Sequence, residues 1–156
     1  MRAGILSGAI AGLATCLVAG LCARSEKKPV PSPINATSHI LWGDLAAEHD
    51  GLSWKYTGTG VILNEVALIF WAGLYEAWPC RHSTLSSDIT RGIAVAALAY
   101  VTDYMLIPKR FTPGFEKRLS GRSLFLIYCG IATSLMMANR ASRKLLQSDA
   151  AVLHRQ

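Results

Sequence analysis

The sequence predicts an all-α integral membrane protein, an antiparallel four-helix bundle with an amphipathic interfacial helix in its first loop. Four apolar stretches, at about residues 3–23, 58–78, 89–107 and 122–138, each approach the ~20 residues that a helix needs to cross the hydrocarbon core. Hydrophobic residues make up 51% of the 156, and the mean hydropathy of +0.30 is high for a soluble domain. We therefore expect a single transmembrane domain over residues 1–156.

The first apolar stretch has two readings. Arg2 followed by an apolar run also fits the start of a signal peptide. No small-x-small cleavage site follows, because the run ends in the sequence Gly20-Leu21-Cys22-Ala23-Arg24. We therefore expect a retained transmembrane helix.

Small residues recur at fourfold spacing along this first helix. They are Gly4, Gly8, Gly12, Cys16 and Gly20. Residues four apart share one helix face, and a face of small residues lets two helix backbones approach closely. The stripe predicts helix packing within this bundle, and self-association of two copies is the alternative.

The first loop contains a second periodic pattern. In a helix, which turns about 100° per residue, Ile34, Leu41 and Leu45 within residues 34–50 would form one apolar stripe that Leu52 continues. The pattern predicts a helix that lies flat at the membrane surface with its leucines towards lipid. Asn35 and His39 belong to a neighbouring face of that helix.

The net charge of +6 does not indicate a nucleic-acid-binding protein. The basic residues flank the apolar stretches, which is the distribution expected beside anionic lipid headgroups. The predicted partner is the lipid bilayer and not nucleic acid. The four cysteines lack metal-ligand spacing, so we predict no metal and no cofactor.

Two carboxylates, Glu65 and Asp103, lie inside apolar stretches, where a charge costs at least a few kcal/mol. Glu65 is roughly 10 Å inside the second helix and Asp103 roughly 7 Å before Pro108. Because consecutive helices run in opposite directions, both depths are measured from one membrane face. The sequence therefore predicts a candidate polar cluster of Glu65, Asp103, His39 and Asn35.

Three interpretations of this cluster compete. The favoured one is structural, with each carboxylate satisfied by basic or amide groups of its own bundle. The second is a proton-handling or small-ligand site, because carboxyl groups in a low dielectric can share a proton. The third is a metal or haem site, which is disfavoured because His39 and His49 would be ~15 Å apart along a helix.

At the other membrane face, Glu76 ends the second apolar stretch. Arg81 and Arg91 precede or begin the third stretch. We predict an ion pair between Glu76 and one of these arginines, preferably Arg91. At an exposed interface such a pair contributes about 1 kcal/mol.

The motifs of soluble enzymes do not occur: there is no phosphate-binding loop, no G-x-S-x-G and no Rossmann fingerprint. We therefore expect a non-enzymatic small membrane protein that acts as an accessory or packing partner. The alternative is a proton-coupled carrier or small-ligand-binding protein that uses the intramembrane carboxylates. Since four short helices rarely enclose a transport path, transport would require a homo-oligomer or a larger membrane complex.

Two stretches resemble a known family. The sequences SPINATSHILWGD, at residues 32–44, and DYMLIPKRFTPGFEKRLS, at residues 103–120, resemble signatures of a family of small four-helix bacterial membrane proteins of unknown function. The resemblance extends over most of the chain and implies a location in the bacterial inner membrane. It implies no activity.

Overall fold

The computed structural model describes the backbone of residues 2–78 and 84–153, and within these ranges all regular structure is helical. The α-helices are α1 (Arg2–Ser25), α2 (Ser32–Thr37), α3 (His39–Trp42), α4 (Leu45–Glu48), α5 (Thr59–Ala77), α6 (Leu85–Val101) and α7 (Gly121–Leu153). Two π-helical turns, Trp54–Gly58 and Thr102–Leu106, extend α5 and α6 at one end of the bundle. The third loop contains the 3-10 turns Lys109–Phe111 and Phe115–Lys117.

Four helical segments are long and apolar enough to cross a membrane. They are Gly4–Ser25, Trp54–Ala77, Leu85–Leu106 and Gly121–Arg143. These bounds differ by a few residues from those expected from hydropathy. The all-α four-helix bundle predicted from the sequence is confirmed.

Helix α1 organises the bundle because it packs against both α5 and α7, while α6 packs mainly on α7. Contacts run in opposite directions along paired helices: Gly4 of α1 lies against Glu76 of α5, and Gly12 lies against Glu65. Helices α5 and α6 touch each other little, although they are consecutive. The bundle is therefore tightly packed along three helix pairs and open along the fourth.

The glycine stripe of α1 forms the contact with α5. A β-carbon at Gly8 would overlap the backbone of Ile69, and one at Gly12 would lie 2.5 Å from the carboxyl atoms of Glu65. Gly20 instead faces Val30 of the first loop, with 3.0 Å available to a β-carbon. Packing within one chain thus occupies the stripe.

Two further glycines permit backbone contact elsewhere. A β-carbon at Gly92 of α6 would lie 2.7 Å from the carbonyl oxygen of Ala132 on α7. One at Gly60 of α5 would overlap the carbonyl of Ile34 on α2. Close backbone approach therefore fixes both how α6 joins α7 and how the first loop joins α5.

The first loop differs from its prediction. Residues 34–50 are helical in part, but they form the three short helices α2, α3 and α4 in place of one continuous helix. Gly43 separates α3 from α4 at φ +76°, a conformation that glycine adopts without steric cost. The expected leucine stripe is consequently divided, because Ile34 is buried whereas Leu45 and Leu52 are exposed.

A carboxylate fastens the first loop to the start of α7. Glu26, just after α1, accepts hydrogen bonds from the Ser120 backbone N–H at 3.0 Å and from the Ser123 hydroxyl at 2.5 Å. Lys28 also donates to it at 2.9 Å. The pKa of Glu26 is lowered from its ordinary 4.5 to about 2. The Lys28 ammonium is the largest cause, and the hydrogen bonds from Ser120 and Ser123 come next. The negative charge is additionally favourable at a helix N-terminus.

Substitution of Gly8 tests the contact between α1 and α5. We expect Gly8→Ala to lower the free energy of unfolding by about 1–3 kcal/mol, because the added methyl meets backbone that cannot move aside. Gly73→Ala is the matched control, since a β-carbon at Gly73 of α5 would have no neighbour within 4 Å. Thermal unfolding in detergent measures both variants. Equal stability of the two would contradict the close contact at Gly8.

Substitution of Glu26 tests the fastening of the loop and has a defined pH dependence. The pKa of Glu26 is depressed in the folded state, so its stabilisation is complete above pH 4.5 and is lost as pH falls towards 2. We expect Glu26→Gln to lower the unfolding free energy by about 1 kcal/mol at pH 7, with a difference from wild type that shrinks in acid. Glu48→Gln, at an exposed position, is the control. A difference that is unchanged at pH 2.5 would rule out an ionic role for Glu26.

Candidate functional site

The open side of the bundle contains a cavity of about 120 Å³. Helix α5 supplies one wall with Asn64 and Trp71, and the α6 segment supplies the other with Ala99 and Asp103. The third loop closes the loop end of the cavity, mainly with Phe115. The limited contact between α5 and α6 therefore leaves a space that is bounded by aliphatic and aromatic side chains and by a few polar ones.

Asp103 is the acidic residue of this cavity. It belongs to the π-helical turn that continues α6, and it is half-buried. The Tyr128 hydroxyl of α7 donates a hydrogen bond of 2.6 Å to Asp103 Oδ2. The Tyr128 ring packs against the Tyr100 ring in an edge-to-face arrangement, with ring centroids 5.2 Å apart. An aromatic pair thus fixes the group that orients the carboxylate.

Asn64 supplies a second polar group. Its side-chain nitrogen donates to the Gly12 carbonyl of α1 at 2.9 Å and to Cys16 Sγ at 3.4 Å. Only 4% of the residue is exposed, and no group in the described part of the chain donates to its Oδ1. The amide oxygen of Asn64 is therefore an unused acceptor on the wall of the cavity.

The ionisable side chain that borders the cavity is acidic. Among the described residues that line it, Asp103 is acidic and none is lysine, arginine or histidine. Glu116 in the third loop lies close enough to Asp103 to interact with it electrostatically. Glu116 is oriented by Thr112, whose hydroxyl donates to it at 2.6 Å. A ligand in the cavity would therefore meet hydrogen-bond acceptors and acidic side chains.

The structure does not bring Glu65 into this site. The Glu65 carboxyl lies against α1 at Gly12, and it is half-buried. Within the residues that the structure describes, its Oε1 is buried without a hydrogen-bond partner. Glu65 faces Gly12 of α1, whereas Asp103 faces Tyr128 of α7.

His39 is likewise separate from the carboxylates, because it joins the first loop to the third. It is 1% exposed, and its Nδ1 donates to the Ala36 carbonyl at 2.8 Å. Its Nε2 lies 3.4 Å from the Lys109 carbonyl. Both ring nitrogens of His39 therefore contact backbone carbonyls of the two loops.

Asn35 also holds the loop and not the candidate cluster. Its amide nitrogen donates to the carbonyls of His49 and Gly51 at 2.8 and 2.9 Å. Its oxygen accepts from the Thr57 hydroxyl at 2.6 Å. Among the described residues, no hydrogen bond joins two members of the four-residue cluster predicted from the sequence. The broken loop directs Asn35 and His39 towards backbone carbonyls instead.

The predicted ion pair of Glu76 with Arg91 is replaced by another. Arg91 Nη2 pairs with Asp88 at 2.5 Å, and Arg140 Nη1 lies 2.9 Å from the same carboxylate. Asp88 is fully buried, and the Arg91 guanidinium lies 4.6 Å from the centre of the Tyr75 ring. An i, i+3 acid on the same helix is simply nearer to Arg91 than Glu76 is.

Glu76 has different neighbours. It accepts a hydrogen bond of 3.2 Å from the Asn139 amide, and its Oε2 would lie 3.0 Å from a β-carbon at Gly4. A carboxylate there is stabilised by the positive end of the α1 dipole. The other predicted partner, Arg81, lies outside the described residues.

Sequence reasoning missed Asn64 and Tyr128 as site residues and Asp88 as the partner of Arg91. Asn64 carried a usable signal, since an amide inside an apolar stretch needs an internal partner. Tyr128 carried none, because a tyrosine in a transmembrane helix fits many environments. Within the described part of the chain, no group of three or more histidine, cysteine or acidic residues is arranged to hold a metal ion.

Comparison with known proteins adds no assignment to this geometry. No protein-family model matches the chain, and neither a curated protein nor a solved structure shows significant similarity to it.

Proposed function

We propose that this chain is a multi-pass protein of the bacterial inner membrane that binds a small ligand in the cavity between α5 and α6, without catalysing a reaction. One observation carries the proposal. The Asp103 carboxylate and the unused Asn64 oxygen border the same cavity, and none of the described residues that line it is basic. An acceptor that borders an internal space is stabilised when water, a proton or a ligand donates a hydrogen bond to it.

The dimensions of the cavity limit the ligand. A volume of about 120 Å³ has room for a small organic molecule. The proposed occupant is therefore a small molecule. Trp71 and Phe115, which are 6% and 3% exposed, would shield its apolar part from water.

The residues have separable roles in this proposal. Asp103 supplies the charge, and Asn64 supplies a neutral acceptor. Tyr128 positions Asp103 through its hydroxyl and does not need to touch the ligand. The third loop, fastened through Lys117 to Asp44 at 2.5 Å, covers the loop end of the site.

A second candidate function is that of a non-enzymatic accessory or packing partner. It is favoured by a groove of about 360 Å³ on the outer surface between α6 and α7. Small and aromatic residues line this groove, among them Ala97, Tyr100, Phe125 and Cys129. A helix of another subunit, or of a second copy, would pack there as helices do in bilayers.

Ligand-observed saturation-transfer NMR distinguishes the two functions. The full chain in lipid nanodiscs is mixed in turn with ethylammonium, ethanol and acetate. We expect at least one of these probes to show saturation transfer that Asp103→Asn abolishes and Glu65→Gln leaves intact. Glu65→Gln is the matched control because it removes a second intramembrane carboxylate that does not line the cavity.

Thermal unfolding of each variant verifies that it is folded. If no probe binds, or if Asp103→Asn binds all of them as wild type does, the ligand-binding proposal is wrong. That result would leave the accessory function as the better supported one.

A further inference from the structure

We infer that the ligand of this cavity is a small organic ammonium ion, the protonated form of a primary or secondary amine. The inference rests on the proposed function, and it adds the chemical class of the ligand. Three features of the cavity support it: the acidic side chain, the hydrogen-bond acceptors and the aromatic residues. They argue in turn against an anion, against a ligand without N–H or O–H donors and against a metal ion.

The charge of the site selects a cation. Asp103 is the acidic residue on the cavity wall, and Glu116 adds a second carboxylate within electrostatic reach. Two basic side chains of the adjoining loop are paired elsewhere: Lys117 pairs with Asp44, and Arg118 pairs with Asp50. Lys109 and Arg110 are not among the residues that line the cavity. An anion entering the cavity would meet negative charge without a compensating group.

The hydrogen-bonding groups select a donor. Asn64 is nearly fully buried, its nitrogen is already bonded to α1, and its Oδ1 has no donor from the described residues. Asp103 uses Oδ2 to accept from Tyr128, which leaves its second oxygen available. An ammonium group carries N–H donors for both acceptors, and charge-assisted hydrogen bonds are the stronger kind.

The aromatic walls select an organic cation over a metal ion. Trp71, Phe115 and Tyr128 border the cavity, and aromatic faces attract ammonium groups through their ring quadrupoles. Hard metal ions require a nearly complete shell of oxygen ligands. Asn64 and Asp103 supply too few oxygens for such a shell, whereas they suffice for an ammonium headgroup with an alkyl tail.

Calorimetric titration of the full chain in nanodiscs tests the class of ligand. We expect ethylammonium to bind, and ethanol, which matches it in size without the charge, to bind at least about tenfold more weakly. Asp103→Asn should weaken ethylammonium binding by at least about tenfold. Glu65→Gln should leave the affinity within about twofold of wild type.

Two further variants keep the test informative if Asp103→Asn does not fold. Tyr128→Phe retains the ring and the carboxylate but removes the hydrogen bond that orients Asp103, so ethylammonium binding should fall several-fold. Trp71→Leu retains both acceptors and removes an aromatic face, and it should weaken ethylammonium binding more than ethanol binding.

The outcomes separate this inference from the proposed function. Binding of ethanol or acetate that depends on Asp103, without binding of ethylammonium, would overturn the ammonium assignment and leave the small-ligand site standing. Absence of binding by every probe would overturn both. Equal weakening of ethylammonium binding by Asp103→Asn and Glu65→Gln would also overturn the assignment, because it would show general attraction of cations to membrane carboxylates.

Discussion

Backbone contact at glycine is the constraint on which the rest of this bundle depends. Between helices in a bilayer the hydrophobic effect gives little attraction, so close van der Waals packing has to supply it. Gly8 brings α1 onto the backbone of Ile69 in α5, and Gly92 brings α6 onto Ala132 of α7. Because α5 is held by α1 and α6 is held by α7, no comparable contact closes the gap between α5 and α6. The cavity is a consequence of where the tight contacts lie.

The polar residues of the bundle are mostly satisfied within the chain, as an apolar surrounding requires. Asp88 is enclosed by Arg91 and Arg140, and Glu26 lies at the start of α7 among hydroxyl and backbone donors. The Asn64 oxygen and the Asp103 carboxylate border one space. Buried oxygens without a partner also occur elsewhere among the described residues, for example Glu65 Oε1. The Asn64 and Asp103 acceptors lie on facing walls of the cavity, and each can accept a further hydrogen bond from an occupant.

The spans were predictable because hydropathy and length decide whether a helix can cross a bilayer. The stripe of glycines was also visible, although the sequence could not say that α5 is its partner. The continuous helix at residues 34–50 was predicted wrongly, because its periodicity gave no sign that Gly43 would take a positive φ and let Asn35 bond to distant carbonyls. Counting residues did not give the neighbour that Glu65 faces. The neighbour that a helical side chain faces depends on how the helices pack against each other. A single sequence does not specify that packing.

The central claim is that the Asp103 carboxylate holds a cation inside the bundle. Solid-state NMR measures this directly, through the dipolar coupling between ¹³Cγ-labelled aspartate and ¹⁵N-ethylammonium in lipid. The account predicts a coupling to the Asp103 signal, identified by its loss in Asp103→Asn, that corresponds to a carbon–nitrogen distance below roughly 4 Å. Bound ethylammonium that shows no coupling to Asp103, or a coupling only to another aspartate that persists in Asp103→Asn, would contradict it.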